Sequence, residues 1–192
     1  MAAPQGSKLK LLAFAGSLRK DSLNKKLIQA WASIAQKQGV EVTLIELNDY
    51  ELPIYNGDIE EHAVPENVRK LQELCSEHDG FLIASPEYNG AVPALIKNTL
   101  DWISRPLENG DSGVSVLKGK VCGIAAASPG GLGGLRALLL LRDQLAKLSL
   151  WVAPSQFALS KAPDSFSNGE LTNESAEKAL ANIVQEVRGF YE

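Results

Sequence analysis

Short apolar segments alternate with longer amphipathic segments along the whole of this 192-residue chain. The apolar segments predict five buried strands, at residues 8–15, 40–47, 80–85, 120–127 and 150–159. In the other segments apolar residues recur at intervals of three and four, which predicts helices at residues 22–38, 66–78, 93–103, 132–148 and 173–190. Strands that alternate with helices form a parallel sheet with helices on both faces. The sequence therefore predicts an α/β fold.

The strand count favours one arrangement of that sheet. Right-handed crossovers leave two common orders, and five strands fit the flavodoxin-like order 2-1-3-4-5 better than a six-stranded dinucleotide-binding sheet. No repeat or linker divides the sequence, so residues 1–192 are expected to form a single domain. Such sheets bind ligands beyond the carboxyl ends of their strands. The candidate ligand site therefore lies in three connections, the first loop (residues 16–24), the second loop (residues 86–92) and the third loop (residues 128–134).

Charge and hydropathy limit the partners of the chain. It has 19 Lys+Arg against 23 Asp+Glu, a net charge of -4, whereas nucleic-acid-binding proteins usually carry a basic patch or stripe. No apolar run approaches the roughly 20 residues of a membrane helix, and the N-terminus lacks the apolar segment of a signal peptide. We therefore expect no nucleic-acid partner, no membrane insertion and a cytoplasmic location.

The cysteines and histidines do not suggest a metal site or a disulfide. Cys75 and Cys122 are expected to be buried, reduced thiols, and two cysteines are too few ligands for a metal. His62 and His78 are expected at the surface, without a catalytic role.

The first loop has the composition of an anion site. It places the hydroxyls of Ser17 and Ser22 and the cations of Arg19 and Lys20 where a strand gives way to a helix. A helix N-terminus offers unpaired N–H groups and a partial positive charge, so a phosphate fits this chemistry. The alternative is a capped helix start with solvated cations, since Ser22 would cap the helix in either case.

The glycine content of the first loop indicates which phosphate compound fits. Phosphate-binding loops of the G-x-x-x-x-G-K-[ST] type and dinucleotide fingerprints of the G-x-G-x-x-G type need glycines that let the backbone approach a polyphosphate. Here Gly16 stands alone among side chains. That pattern suits a terminal monophosphate, and it favours FMN over NAD or FAD.

Three motifs carry a resemblance to a known family. They are "GSLRKDSLNKKL" after the first strand, "SPEYNGAVPALIKNTLDW" after the third and "SPGGLGGLR" after the fourth. Together, and in this order, they resemble the NADPH-dependent FMN reductase family, the flavodoxin-like quinone, chromate and azo-dye reductases. The second motif is the most specific, and the resemblance extends over nearly the whole chain.

The resemblance implies a set of FMN contacts in each loop. The phosphate would be surrounded by Ser17, Arg19, Ser22, Leu23 and Asn24. The isoalloxazine ring would be lined by Pro86, Glu87, Tyr88, Asn89 and Gly90 and flanked by Ser128, Pro129, Gly130 and Gly131. The residue types agree, because glycines permit close backbone approach to a flat ring and a tyrosine can stack beside it. The alternative for the second loop is an ordinary tight turn before a helix.

The implied activity is oxidoreduction. FMN would take a hydride from NADH or NADPH and pass electrons to a quinone, chromate, ferric chelate, azo dye or flavin, by a ping-pong mechanism. Tyr88 and Asn89 would lie where both substrates pass. Arg105 is expected near the mouth as an anion contact, or else as a surface arginine before Pro106. The physiological acceptor and the choice between NADH and NADPH stay open.

Two other classes of function are weighed against this one. Ser128 lies between a strand and a helix as a hydrolase nucleophile would, but Pro129 has no N–H for an oxyanion hole and both histidines precede Ser128. A non-enzymatic flavodoxin that passes electrons to a protein partner is the stronger alternative. Its flavin is usually surrounded by acidic residues, whereas this chain has four cations near its predicted ligand loops, Arg19, Lys20, Arg105 and Arg136.

A homodimer with the flavin near the interface is expected. The resemblance implies it, and so do the apolar residues of the connection at residues 49–65, namely Tyr50, Leu52, Ile54 and Tyr55. A tetramer is the open alternative.

Overall fold

The computed structural model describes residues 8–192 and contains the predicted alternation of strands and helices. The sheet strands are β1 (Lys10–Ala15), β2 (Glu41–Ile45), β3 (Gly80–Ala84), β4 (Val121–Ala127), β5 (Trp151–Val152) and β6 (Phe157–Leu159). The helices are α1 (Leu23–Lys37), α2 (Gly57–His62), α3 (Glu66–Glu77), α4 (Ala94–Ile103), α5 (Leu135–Lys147) and α6 (Glu174–Gly189). A small antiparallel hairpin, β7 (Phe166–Ser167) and β8 (Glu170–Leu171), precedes α6. Residues 1–7, which belong to the predicted single domain and to the segment assessed as a signal peptide, lie outside the described residues.

The predicted strand order is confirmed. The sheet runs β2-β1-β3-β4-β5 and every pair within it is parallel. The order reverses between β1 and β3, which lie side by side and are followed by the first and second loops. The N–H of Gly16 donates to the carbonyl of Ala84 at 2.8 Å, so these two loops begin next to each other. This reversal is where a sheet of this order has its ligand crevice.

The predicted fifth strand is two short strands. β5 pairs with the beginning of β4 and β6 pairs with its end. The exposed Pro154 lies between them, and proline has no N–H with which to continue a ladder. The single strand predicted at residues 150–159 is therefore wrong in its continuity, although its position at the edge of the sheet is right.

Two apolar layers hold the helices on the sheet. On one face, α1 and α6 cover Leu11 and Ala13 of β1, and on the other face α3, α4 and α5 cover Leu12 and Phe14. Because both faces are covered, the whole of β1 after Lys10 is buried rather than alternating with solvent.

Helix α5 begins three residues later than the leucine periodicity predicts. Gly133 and Gly134 have φ values of 64° and 93°, and this left-handed backbone cannot be part of a right-handed helix. The leucines of this segment are buried on one side only. Three of them are fully buried, Leu138, Leu141 and Leu145, whereas four in or just before the helix are exposed, Leu132, Leu135, Leu139 and Leu140.

The connection between β2 and α3 packs on α4 of the same chain. Tyr55 lies edge-on against Trp102, with ring centroids 5.1 Å apart. The carbonyl of Pro53 accepts hydrogen bonds from Trp102 Nε1 and Asn98 Nδ2. Tyr50 and Leu52 are likewise half-buried against the core, and only Ile54, 75% exposed, remains in solvent. Most of these apolar residues are therefore covered within the chain itself, so they do not by themselves require a second copy to bury them.

His78 is buried rather than exposed. Its Nδ1 is 2.7 Å from the carbonyl of Leu74, and its Nε2 is 2.7 Å from the hydroxyl of Thr43. It lies before β3, at the amino ends of the strands, and links α3 to β2. Across residues 8–192, none of the helices combines the length and the hydropathy that crossing a bilayer requires.

Candidate functional site

The first loop is held open between β1 and α1. Gly16 is required at its start, because a Cβ there would lie 2.3 Å from the Cδ1 atom of Ile96 on α4. Ser22 caps α1, since its hydroxyl oxygen accepts the N–H groups of Asn24 and Lys25 at 3.2 and 3.4 Å. Ser17 is buried, and its Oγ accepts the N–H of Arg19 at 3.4 Å. Both hydroxyls keep a hydrogen with which to donate to a ligand.

Several backbone N–H groups of the first loop have no acceptor in the part of the chain that the structure describes. They include those of Leu18, Lys20 and Leu23. Such groups at the start of a 15-residue helix suit an oxyanion.

The charged side chains of the first loop differ in whether they form ion pairs. Arg19 and Lys20 are exposed, and no carboxylate of residues 8–192 pairs with them. Lys25 is instead largely buried and pairs with Glu46 at 2.6 Å. The exposed Asp21 adds a negative charge at this loop. The positive charge available to a ligand is therefore that of Arg19 and Lys20.

Asn24 links the first loop to the end of β4. Its Nδ2 donates to the carbonyl of Ala127 and its Oδ1 accepts the N–H of Ala127, both at 2.9 Å. The residue is 3% exposed. The Oδ1 and one of the two Nδ2 hydrogens are therefore used within the protein, which leaves the second Nδ2 hydrogen as the only donor that the side chain could offer to a ligand.

The second loop contains a two-residue turn. Asn89 and Gly90 have φ values of 53° and 76°, which is the type I′ geometry. Tyr88 and Ala91 close the turn with reciprocal backbone hydrogen bonds of 3.2 and 3.0 Å. Tyr88 is 48% exposed and Asn89 is exposed, so the turn presents an aromatic ring, an amide and bare backbone to the site. Pro86, just before the turn, is buried.

The carboxylate of Glu87 bonds to the first turn of α5. Its Oε1 accepts a 2.7 Å bond from Nε of Arg136, while its Oε2 accepts the N–H groups of Arg136 and Ala137 at 3.1 and 3.3 Å. The hydrogen bond from Arg136 is the largest cause that holds the Glu87 pKa below its usual value. The resemblance implied a ring contact for Glu87, but its carboxylate is engaged with α5.

Backbone N–H groups donate the hydrogen bonds that shape the third loop. The N–H of Ser128 donates to the carbonyl of Leu159 at 3.1 Å, and the hydroxyl of Ser128 accepts the N–H of Gly130 at 3.1 Å. Pro129, Gly130 and Gly131 are exposed, and a Cβ added to Gly131 would meet no atom within 4 Å. The loop therefore leaves open space beside its backbone, as a flat ligand would require.

The structure brings the three loops together and places Arg105 elsewhere. Arg105 follows the far end of α4, eleven residues or about 16 Å along the helix from Ala94. Its guanidinium lies over the ring of Tyr55, 5.1 Å from the centroid, and bonds to the carbonyl of Asp101. Within this chain Arg105 therefore packs on the connection before α3, and its role as an anion contact at the mouth of the site stays a prediction.

The hydrolase alternative finds no support in this geometry. The Ser128 hydroxyl caps its own loop by accepting from Gly130. His78 bonds to Leu74 and Thr43 at the opposite edge of the sheet.

Sequence reasoning missed two residues that shape the site. Ala127 receives Asn24, and no feature of an alanine could have indicated that role. Arg136 was noted as a nearby charge, and its pairing with Glu87 joins the second loop to α5. A glutamate and an arginine 49 residues apart give no periodic signal.

Known proteins resemble the chain over nearly its whole length. The sequence profile described as NADPH-dependent FMN reductase matches residues 9–164. A quinone reductase of Pseudomonas putida is 36% identical over 135 residues, 70% of this chain and 68% of the relative. A 2-hydroxy-1,4-benzoquinone reductase of a Burkholderia species is 33% identical over 178 residues, 92% of each chain.

Among solved structures, FerB, a flavoenzyme NAD(P)H:(acceptor) oxidoreductase of Paracoccus denitrificans, superimposes with a TM-score of 0.80. It is 29% identical, and the match covers 95% of this chain and 97% of that one. Together with the family profile, which covers most of the sequence, these matches establish that the chain belongs to the NADPH-dependent FMN reductase family and is an FMN-dependent, NAD(P)H-linked oxidoreductase.

Proposed function

We propose that this chain holds FMN across its three loops and catalyses the NAD(P)H-dependent reduction of quinones. The observation that carries the proposal is the row of open N–H groups and hydroxyls in the first loop, beside the exposed turn of the second loop. Two relatives are named for quinone reduction, and each match covers at least two thirds of the relative's length. A quinone is therefore the acceptor class that we favour.

The first loop is proposed to hold the FMN phosphate. Ser17 and Ser22 can each donate an O–H while accepting a backbone N–H. The exposed Arg19 offers a planar fork that matches phosphate oxygens. Leu23 and Asn24, in the first turn of α1, surround the same position with backbone. The helix N-terminus adds a favourable field for the anion.

The second and third loops are proposed to hold the ring. In the described part of the chain, the N–H groups of Asn89 and Gly90 donate to no protein acceptor. They are thus free to bond to a polar ring edge, and Tyr88 has an exposed aromatic face. Gly130 and Gly131 let the third loop approach from the other side.

The protein supplies binding, orientation and charge stabilisation for the reaction. When bound, FMN accepts a hydride from NAD(P)H and passes electrons to the acceptor. The open N–H groups of the second loop favour negative charge at the ring edge that they face. Tyr88 and Asn89, exposed on the same turn, are proposed to contact both the nicotinamide and the acceptor.

The phosphate assignment is tested by titrating FMN, riboflavin and FAD into the apoprotein. FMN should bind far better than the other two. A charge-assisted phosphate contact is worth roughly 1.5–3 kcal/mol, so Arg19→Ala should weaken FMN about tenfold or more and leave riboflavin unchanged. Arg188→Ala, on α6 and bonded to Gln38 at the far end of α1, is the matched control. Equal affinities for FMN and riboflavin in the unaltered protein would contradict the assignment.

The order of substrate binding follows from the proposal that both substrates use the exposed turn of the second loop. If both substrates occupy the space over Tyr88 and Asn89, the oxidised nicotinamide must leave before the acceptor binds. Initial-rate plots at several acceptor concentrations should then be parallel, and excess acceptor should compete with NAD(P)H. Tyr88→Ala should slow turnover more than it weakens FMN, whereas Phe190→Ala, an exposed aromatic on the far side, should change neither. Intersecting lines would mean a ternary complex.

We propose that the electron acceptors extend beyond quinones. Chromate, ferric chelates, azo dyes and free flavin would all meet the same exposed turn. Steady-state rates with NADH and with NADPH over this panel would rank both substrates. Activity confined to one ferric chelate would contradict the preference for quinones. The nicotinamide requirement and the two buried thiols fit the cytoplasm, where we expect the protein to act.

A non-enzymatic electron-transfer role is the alternative. An archaeal flavodoxin shares the fold with a TM-score of 0.59 and 12% identity, which shows the fold alone. The exposed cations Arg19 and Lys20 of the first loop favour small anionic substrates such as NAD(P)H over a basic protein partner. Sustained NAD(P)H oxidation by the purified protein with a quinone alone would exclude the alternative.

A homodimer is proposed, through α5 rather than the connection before α3. Leu135 and Leu139 are exposed about one turn apart on α5, and Leu132 is exposed in the third loop just before the helix. A second copy of the chain would bury these leucines next to the site. Leu139→Lys should yield a monomer by light scattering at micromolar concentration, whereas Ile54→Lys should leave the dimer intact. A monomeric, active unaltered protein would contradict the proposal, and a tetramer would extend it.

A further inference from the structure

Helix α5 has a cap that comes from a distant loop. Its own N-cap residue is Gly134, which has a φ of 93° and no side chain with which to bond. The second and third N–H groups of the helix, from Arg136 and Ala137, donate instead to Glu87 Oε2. The Glu87 side chain is only 8% exposed. A carboxylate of the second loop therefore does the work of an N-cap for the helix that follows the third loop.

The Arg136 guanidinium completes the connection. Its Nε donates to Glu87 Oε1 at 2.7 Å, and its Nη2 forms an ion pair with the same oxygen. A Cβ placed on Gly90 would lie 3.9 Å from both Nε and Cζ of Arg136. Arg136 thus bonds to the carboxylate before the turn and lies beside Gly90, close enough that a side chain at that position would reach its guanidinium.

The turn of the second loop needs such a support. Residues 88–91 are closed by two backbone bonds and belong to no strand of the sheet. An isolated two-residue hairpin is marginal in water. Its position relative to the third loop is therefore fixed by what holds the residue next to it, Glu87.

We propose that Glu87 is a positioning residue that, together with Arg136, fixes the second loop against the N-terminus of α5 and so pre-forms the ring site before the cofactor binds. The ligand in this proposal rests on the proposed function, whereas its geometry rests on hydrogen bonds within the chain alone. A pre-formed site spares the ligand the ordering of the loop at the moment of binding. Both FMN and riboflavin should benefit equally, because both carry the ring.

Two other roles for Glu87 make different predictions. As a direct FMN contact, its removal would weaken the ligand without loosening the empty loop. As a cap with only a structural effect, its removal would lower the stability of the fold and leave ring binding unchanged. The exchange of individual amides in the apoprotein separates these roles from positioning.

The test compares Glu87→Gln with Glu186→Gln. Glutamine keeps the shape of the side chain and loses the charge in both variants. Glu186 is a suitable control because its Oε2 accepts the N–H of Ser155 at 2.8 Å, on the edge of the sheet away from the three loops. Hydrogen exchange is measured on the apoproteins at the amides of Tyr88 and Ala91, and affinities for FMN and riboflavin are measured by titration.

Glu87→Gln should speed exchange at Tyr88 and Ala91 and weaken FMN and riboflavin by the same factor, roughly fivefold from the usual worth of a cap. Glu186→Gln should change none of these. Unchanged exchange at the turn, or a loss of FMN affinity without a matching loss for riboflavin, would overturn the proposal. If the unaltered protein bound no flavin, the proposed function would fail while the exchange experiment still decided the positioning role.

A second variant covers the case in which Glu87→Gln does not fold. Arg136→Lys keeps the positive charge and leaves the Glu87 cap on the helix, but it loses the planar fork. It should produce the same changes at a smaller size. Where Glu87→Gln does fold, a double-mutant cycle with Arg136→Lys should give a combined effect on riboflavin affinity that is less than the product of the two fold-changes. Multiplicative effects would show that the two residues act separately and would overturn the pairing.

Discussion

Replacing Asn24 by alanine removes the side-chain bridge between the first loop and the end of β4. The two hydrogen bonds to Ala127 are lost, and the N–H and C=O of Ala127, a residue 4% exposed, are left without their partner. Each buried group left unpaired costs about 1–3 kcal/mol, and at the open carboxyl edge of the sheet we take the lower half of that range, about 2–4 kcal/mol for the pair. In a domain of this size the midpoint of thermal unfolding should fall by roughly 4–16 °C.

The assay is urea unfolding of the apoprotein at pH 7, so that cofactor affinity does not enter. Asn182→Ala is the matched control, because Asn182 is exposed on α6, and it should change the free energy of unfolding by no more than about 0.5 kcal/mol. A loss below about 1 kcal/mol for Asn24→Ala would refute the bridge, since it would mean that the Ala127 groups find other partners at little cost.

The variant Asn24→Asp tests the same bridge by its pH dependence. The introduced carboxylate can still accept from the Ala127 N–H, but its second oxygen faces the Ala127 carbonyl, where Asn24 donated. Protonation restores a donor, so the folded state binds the proton more tightly than the unfolded chain does. Stability relative to Asn24→Ala should therefore be highest in acid and fall as the pH rises. A difference between the two variants that does not change with pH would contradict the geometry.

Three further outcomes are expected. Burial raises the pKa of the Cys75 thiol to about 12 and also raises that of Cys122, so a disulfide reagent at pH 8 should titrate no thiol in the folded protein and two after denaturation. Gly134→Ala places a Cβ 2.7 Å from a β4 side chain at a φ of 93°, and it should destabilise the protein by more than about 1 kcal/mol in urea. The hydrogen bond from Arg136 lowers the Glu87 pKa from its usual value of 4.5. The contribution of Glu87 to the stability of the fold should therefore be full above that pH and be lost in acid. In urea unfolding, the difference in the free energy of unfolding between the unaltered protein and Glu87→Gln should shrink as the pH falls from 7 to 3.

The fold was predictable because burial on both faces of the sheet is visible in the sequence. The continuous apolar run of β1 and the apolar spacing of α1 correspond to surfaces that are covered. The errors occur where the backbone departs from this periodicity. Leu132 continues the apolar spacing of α5, but the left-handed backbone at Gly133 and Gly134 delays the helix. The six-residue α2 is too short to show a period and was missed.

The loops of the site were predictable, but the direction of their side chains was not. A motif indicates where a loop lies on the sheet, whereas hydrogen-bond partners come from residues far away in sequence. Asn24 reaches Ala127 across 103 positions, and Glu87 reaches Arg136 across 49. His78 shows the same limit, since its burial depends on Thr43, a residue on another element. Pairings of this kind depend on the completed sheet, which composition and periodicity do not encode.

Two residues of the family motifs thus bond to the protein itself, and this affects how substitutions in the motifs are interpreted. A fall in FMN affinity after changing Asn24 or Glu87 does not show that either side chain touches the cofactor, because both hold loops in place. The ratio of FMN to riboflavin affinity separates the two causes. A residue that contacts the phosphate changes the ratio, as we expect for Arg19, whereas a residue that positions the ring site changes both affinities equally. Assigning the motif residues therefore requires both ligands, since FMN alone cannot distinguish a contact from a support.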